Sequence, residues 1–182
     1  MIAQRFGTFR GLVRLALTHA ELALGRGAVR TDAPEAVRRL VFVCHGNICR
    51  SAFAEVAARR AGLAVTSFGL STGSDKPAHG PAVEAAALLG HDLSAHRTTE
   101  MSDYIPCEGD LLLAMETRQL RRIAADPRLA SLPRSLLGLY VRPSVPHLHD
   151  PYSLSDAYMA TCLARIETAM LVLRVTFPNA RV

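Results

Sequence analysis

From residue 37 onward, short apolar runs alternate with longer amphipathic or alanine-rich stretches. "LVFVC" (40–44) is apolar without alternation, the pattern of a strand covered on both faces. Residues 51–61 are alanine-rich and predict a helix. "AVTSFGL" (64–70) predicts a second strand, and residues 80–90, opening at Pro81, a second helix. "DLLLAM" (110–115) predicts a third strand, 117–125 a helix, and "LLGLYV" (136–141) a fourth strand. A last helix starts near Ser153 or Ser155 and carries Tyr158, Cys162, Ile166, Met170, Leu173 and Phe177 on one face. Strands alternating with helices imply an α/β fold of three layers, a four-stranded parallel sheet with helices on both faces. Ligands on such sheets bind beyond the carboxyl ends of the strands.

The first 25 residues follow a different pattern. Ile2, Phe6, Phe9, Val13, Leu17, Ala20 and Leu24 recur at intervals of three and four, which predicts one helical face. Gly25 and Gly27 end it, and "RTDAPEA" reads as a linker. Residues 1–36 are therefore expected to form an extra N-terminal amphipathic extension and linker, and 37–182 the main domain. Arg5, Arg10 and Arg14 lie off the apolar stripe. Such a helix either packs on the domain or makes a peripheral contact with a membrane surface or a partner such as a kinase.

Composition narrows the class. The 182 residues are 49% hydrophobic and 20% charged, enough for one sizeable core and unlike a disordered chain. No apolar run approaches a membrane span, and arginines interrupt the start where a secretory signal would be apolar, so a cytoplasmic location is expected. Four cysteines in a chain of this length do not make a disulfide framework. The net charge is +5 and the pI about 9.4, nearly all of it from arginine; Lys76 is the sole lysine. No basic run is interleaved with aromatics, so no nucleic-acid partner is expected. The alanine- and arginine-rich composition suits a bacterial, GC-rich genome.

The densest chemistry lies in "CHGNICRS", where the first strand passes into a helix. A loop of this kind turns backbone N–H groups inward as an anion nest, and the helix adds its positive end. Gly46 is expected to allow a backbone conformation or close approach that a side chain would block. Arg50 supplies a forked permanent cation for phosphate. A thiol at Cys44, at the mouth of the nest, would be held as thiolate beneath a phosphorus atom. Cleaving a phosphate ester also needs an acid for the leaving oxygen. "HDPYSL" offers Asp150, with Tyr152 placed to stack on an aromatic ring.

"VCHGNICRSAFAE" near the start and "DPY" near the end of the domain resemble the low-molecular-weight protein tyrosine phosphatases. The resemblance extends over roughly residues 38–178. It implies a phosphate-binding loop after the first of four parallel strands, no metal and no cofactor. By that resemblance Cys44 is the nucleophile that becomes phosphocysteine, Arg50 grips the phosphate, and Asp150 is the acid and then the base. Ser51 stabilises the thiolate. His45, Gly46, Asn47, Ile48, Cys49, Ser51 and Tyr152 border the substrate. Asn47 holds the loop's shape, supported by Ser71 and His96. Cys49 can trap an oxidised nucleophile as a disulfide. The partner implied is a phosphotyrosine-containing protein, by analogy with bacterial relatives that act on tyrosine kinases controlling polysaccharide export.

Some positions depart from the family's pattern. Ala52 stands where proline is usual, Glu116 where aspartate is usual, and His45 replaces a small or apolar residue. "STGSDKPAHG" is short and lacks the aromatic wall of the cleft. Ile48 stands where relatives acting on phosphoarginine carry threonine, which favours phosphotyrosine. Two rival readings are a thiol-dependent arsenate reductase of the same fold and a phosphotyrosine-binding protein with vestigial activity. Cys107 and Cys162 read as structural, and His147 with His149 lack the further ligands a metal site needs.

Overall fold

The computed structural model describes residues 2–27, 29–30 and 33–182. Thr31 and Asp32 of the expected linker lie outside the described residues. Four strands, β1 (Arg39–Cys44), β2 (Val65–Gly69), β3 (Asp110–Ala114) and β4 (Arg134–Leu136), form one parallel sheet in the order β2-β1-β3-β4. The apolar runs are strands because both faces of the sheet are covered. Leu40, Phe42 and Cys44 of β1 enter one core, while Val41 and Val43 enter the other. This is the period-two alternation of a pleated strand, hidden in sequence because both sides are apolar.

The larger core lies under α3 (Arg50–Arg60), α4 (Gly80–Leu88) and α6 (Asp156–Thr176). All six residues expected on the inner face of the last helix are buried there, and Ser155 caps its start by accepting from Tyr158 N. The smaller core lies under α5 (Thr117–Ala125), whose Leu120 and Ile123 meet Val41, Val43 and Leu112.

The fourth strand differs from expectation. It runs over 134–136 rather than 136–141, and Leu137–Leu139 is a turn of 3-10 helix. The cause is Gly138, whose carbonyl accepts from Val145 N at 3.0 Å, so the chain folds back on 145–146 instead of continuing along β3.

The N-terminal region is also corrected, from one helix to two: α1 (Ile2–Phe6) and α2 (Phe9–Ala23). They break at Gly7, whose φ of 77° is left-handed, and Thr8 caps α2 by accepting from Gly11 N at 3.0 Å. α2 packs through Gly11 and Thr18, with Leu15 and Leu22 half-buried beside them. The apolar stripe seen in the sequence is on the opposite side. Phe9 is 69% exposed, Val13 41%, Leu17 53% and Leu24 64%.

Candidate active site

β1 ends at Cys44 and α3 begins at Arg50, so residues 45–49 form a loop at the carboxyl edge of the sheet. The loop folds back over the sulfur. Asn47 N lies 3.2 Å from Cys44 Sγ, and Ser51 Oγ lies 3.0 Å from it. Asn47 takes a left-handed φ of 55°, which asparagine tolerates better than most side chains. The expectation for Gly46 is therefore corrected: a Cβ there would meet Ile48 at ordinary contact distance. The close approach falls at Gly69 instead, where a Cβ would lie 3.1 Å from Asn47 N.

Asn47 is buried and fully engaged. Its Nδ2 donates to Ser51 Oγ and to Ser67 Oγ, each at 2.8 Å, and its Oδ1 accepts from Thr99 N at 2.9 Å. His96 Nε2 donates to Asn47 O at 2.8 Å. Ser67 Oγ in turn donates to Glu55 Oε2 at 2.5 Å. Because Ser51 Oγ already accepts from Asn47, its own hydrogen is free to point at Cys44 Sγ. Asn47 Nδ2 thus orients both hydroxyls: Ser67 passes its hydrogen to Glu55, and Ser51 points its own at Cys44 Sγ. The support assigned to Ser71 is corrected by this arrangement. Ser71 meets the loop through its backbone N–H, which donates to His45 O at 2.8 Å, while Ser67 and Thr99 hold the Asn47 side chain. Burial lowers the His96 pKa, which favours the neutral ring.

Arg50 is 1% exposed and lies among acceptors. Nη1 donates to Glu116 Oε1 at 2.8 Å and to Leu148 O at 2.9 Å, and Nη2 pairs with Asp150 Oδ2 at 2.6 Å. Arg50 Nε is buried without a partner among the described residues. Burial works against the Arg50 charge, but Asp150 and Glu116 outweigh it and raise its pKa. Glu116 also accepts from Arg118 Nε at 2.7 Å. Burial opposes the Glu116 charge, yet Arg50 and Arg118 hold its pKa down at about 2. Glutamate here reaches the arginine directly, one methylene longer than the aspartate usual at this position.

Cys44, His45, Gly46, Ile48, Cys49, Arg50, Ser71, Thr72, Lys76, Asp150 and Tyr152 line one cavity of about 250 Å³. The Tyr152 ring is half-exposed and lies 5.0 Å from the His79 ring, so a histidine stands beside the tyrosine at the cleft. Cys49 is buried, and its thiol is pushed up by burial and then by the negative charges of Cys44 and Asp150.

The sequence model of the low molecular weight phosphotyrosine protein phosphatase family matches residues 39–177. The chain belongs to that family. A probable low molecular weight protein-tyrosine-phosphatase, EpsP of Ralstonia solanacearum, is 38% identical over 91 residues, which cover 49% of this chain and 63% of the relative. The chain thus spans less than two thirds of that relative. The phosphatase Wzb of Salmonella typhi is 37% identical over 126 residues, covering 67% of this chain and 83% of the relative. Among solved structures, tyrosine phosphatase Wzb from Escherichia coli K30 with sulphate is similar at a TM-score of 0.64 and 28% identity, over 74% of this chain and 94% of the other. The family match starts at β1, so α1 and α2 lie outside it.

Within this family frame, the sequence-derived residues meet at one place: Cys44, Arg50 and Asp150 share a cavity with His45, Gly46, Ile48, Cys49, Ser71 and Tyr152. Asn47, Ser51 and His96 stand behind it. Ser67, Thr99 and Glu55 were missed in the sequence. Ser67 carried only a faint signal, a hydroxyl beside that of Thr66 in the middle of β2. Thr99 acts through its backbone N–H, which leaves no trace in side-chain identity.

Proposed function

We propose that the chain is a phosphotyrosine-protein phosphatase working through a phosphocysteine intermediate. The observation that carries this is the convergence on Cys44 Sγ of Asn47 N and Ser51 Oγ, with Arg50 and Asp150 in the same cavity. Those donors stabilise a thiolate. The Cys44 sulfur attacks phosphorus, the bond from phosphorus to the tyrosyl oxygen breaks, and Asp150 gives that oxygen its proton. Water then attacks the phosphocysteine and passes a proton to Asp150, releasing phosphate and restoring the thiolate. Arg50 and the helix start hold the equatorial oxygens throughout. Cys49, buried beside the nucleophile in the same cavity, is read as its guard against over-oxidation.

The test is release of phosphate from an aryl phosphate by the purified chain and its loss in Cys44→Ser. Full turnover by Cys44→Ser would remove the mechanism. Tight phosphopeptide binding without turnover in the unaltered chain would favour the binding-protein reading, and arsenate-dependent oxidation of thioredoxin the reductase reading. The substrate in this reading is a tyrosine-phosphorylated bacterial protein, a kinase governing polysaccharide export among the candidates, and the reaction uses no metal or cofactor. Residues 37–182 form the catalytic domain in this reading, acting in the cytoplasm.

The extension is assigned a peripheral contact with an anionic membrane surface. No helix among the described residues is long and apolar enough to cross a membrane. The exposed face of Phe9, Val13, Leu17 and Leu24 can instead lie in the headgroup layer. Residues 1–30 hold five arginines and one acidic residue, Glu21, which is engaged by Arg121 at 2.7 Å. That excess charge favours lipid phosphates over a neutral partner. The chain should sediment with vesicles containing phosphatidylglycerol, and Leu17→Glu, on the exposed face, should abolish this. Equal sedimentation of the variant would refute the contact.

A further inference from the structure

The loop that carries the acid is gripped from several sides. Leu148 N donates to Met115 O at 3.0 Å, and Leu148 O accepts from Arg50. His149 O accepts from Tyr158 Oη at 3.3 Å. These grips act on the backbone and come from β3, α3 and α6. The His149 side chain, one residue before Asp150, is held from elsewhere. Its Nε2 lies 3.1 Å from Thr8 Oγ1. Its ring fits a notch in the N-terminal extension made by two glycines. A Cβ at Gly7 would lie 2.9 Å from His149 Cδ2, and one at Gly11 would lie 3.0 Å from the same atom. A Cβ at Gly7 would also meet Tyr158 Cε1 at 2.7 Å, and one at Gly11 would overlap the Phe6 carbonyl oxygen, so the ring lies where the extension is packed too tightly for side chains.

α2 itself is anchored at its far end, where Glu21 pairs with Arg121 of α5 and Leu22 enters the smaller core. The extension thus spans from α6, against which α1 packs, to α5, and passes the acid loop on the way. The helix break at Gly7 and the cap at Thr8 thus fall at the one place where the extension meets residue 149, and Thr8 Oγ1 serves both the cap and the ring.

We infer that the N-terminal extension is a brace for the acid loop, and that Thr8 and His149 are positioning residues that set where Asp150 delivers its proton. The inference rests on Asp150 being the acid of the proposed reaction. Thr8 and His149 touch no substrate. They act by restricting the backbone on the amino side of Asp150, while Arg50 restrains its carboxylate. A small misplacement of a proton donor costs rate only where the leaving oxygen needs the proton. p-Nitrophenolate is a good leaving group and needs it little; phenolate and tyrosyl oxygens need it much.

The experiment compares kcat/KM for phenyl phosphate and p-nitrophenyl phosphate in the full chain. The variants are Thr8→Val, His149→Phe and the pair together. His149→Phe keeps a ring in the notch and leaves the helix cap intact, so it stands independently of any folding defect in Thr8→Val. Each is expected to lose about tenfold or more on phenyl phosphate and less than about threefold on p-nitrophenyl phosphate. The double variant should be no worse than the singles, and Thr8→Ser should restore the value. An equal loss on both substrates, or no loss from either variant, overturns the brace. Failure of the phosphatase reading shows separately, as absence of Cys44-dependent turnover in the unaltered chain, and would remove the brace with it.

Discussion

Two loops meet at the carboxyl edge of the sheet, and they are built differently. The phosphate loop, 44–50, is organised around one of its own side chains, Asn47, on which His96 and the Thr99 N–H also close. Asn47 reaches Ser51 four residues on and Ser67 on the paired strand β2. The acid loop, 147–152, makes few bonds to itself. It is held by β3, α3, α6 and the N-terminal extension, through residues up to 141 positions away. A cradle for a fixed tetrahedral anion gains from rigidity supplied locally. A proton donor must sit at a distance set by the substrate, and that placement is left to the elements that pack around it.

The contrast can be broken by substitution, with the largest effect expected at Asp150. Asp150→Asn keeps the shape and removes the proton. It should lower kcat on phenyl phosphate by about 100-fold or more while KM stays level or falls, since Arg50 is freed of one carboxylate. A parallel rise in KM would mean that Asp150 belongs to the cradle. Glu116→Gln comes next, because it removes one of the two carboxylates that hold Arg50 between the loops. Breaking a buried ion pair should cost about 3 kcal/mol in denaturant unfolding at neutral pH. The Glu116 pKa is lowered in the fold, so its stabilising contribution is present above the ordinary value of 4.5 and is lost as pH falls toward about 2. The variant should lack that acid-dependent loss.

Ser67→Ala probes the cradle alone. It leaves Asn47 Nδ2 with one partner and Glu55 Oε2 with none from Ser67, at a cost of about 1–2 kcal/mol in stability. Because it disturbs the loop around the nucleophile, it should lower kcat/KM by a similar factor on phenyl and p-nitrophenyl phosphate. A leaving-group dependence in this variant would blur the division between the loops. At neutral pH the smallest effect is expected at His147, whose buried Nε2 has no partner among the described residues. Burial pushes its pKa down to about 4, so the unfolded chain binds its proton first, and stability falls as pH drops from about 6.5 to 4. His147→Phe should flatten the unfolding profile in that window and leave the region below it steep.

The phosphate loop was legible in the sequence and the acid loop far less so. "CHGNICRS" holds the proposed nucleophile, the arginine, the serine and the asparagine within eight residues, because a tight loop needs its parts close together in the chain. "DPY" showed the acid but nothing of what holds it. β1 and β3 could be read from apolar runs, since a strand covered on both faces is apolar on both, and β2 from a more mixed run. β4 was misplaced because Gly138 takes its partner from 145, a pairing that no local pattern encodes. The N-terminal periodicity predicted one helical face where there are two helices, and its positions Phe9, Val13, Leu17 and Leu24 are turned to solvent. The packed side is made of Gly11, Leu15, Thr18 and Leu22, smaller or mixed in polarity and so weaker as a signal.

The sequence by itself determined the class of fold, the strand-to-helix junction and which residues, Cys44, Arg50 and Asp150, to look for at one site. Those features depend on residues near one another in the chain, or on a repeat that registers with one element. Tertiary structure alone decided that Ser67 and Thr99 orient Asn47, that Glu116 and Asp150 share Arg50, and that Thr8 reaches His149. Each of these is a contact between elements far apart in sequence. Such contacts are set by how the helices settle on the sheet, where a burial of apolar surface with no directional preference fixes the distances that hydrogen bonds then use.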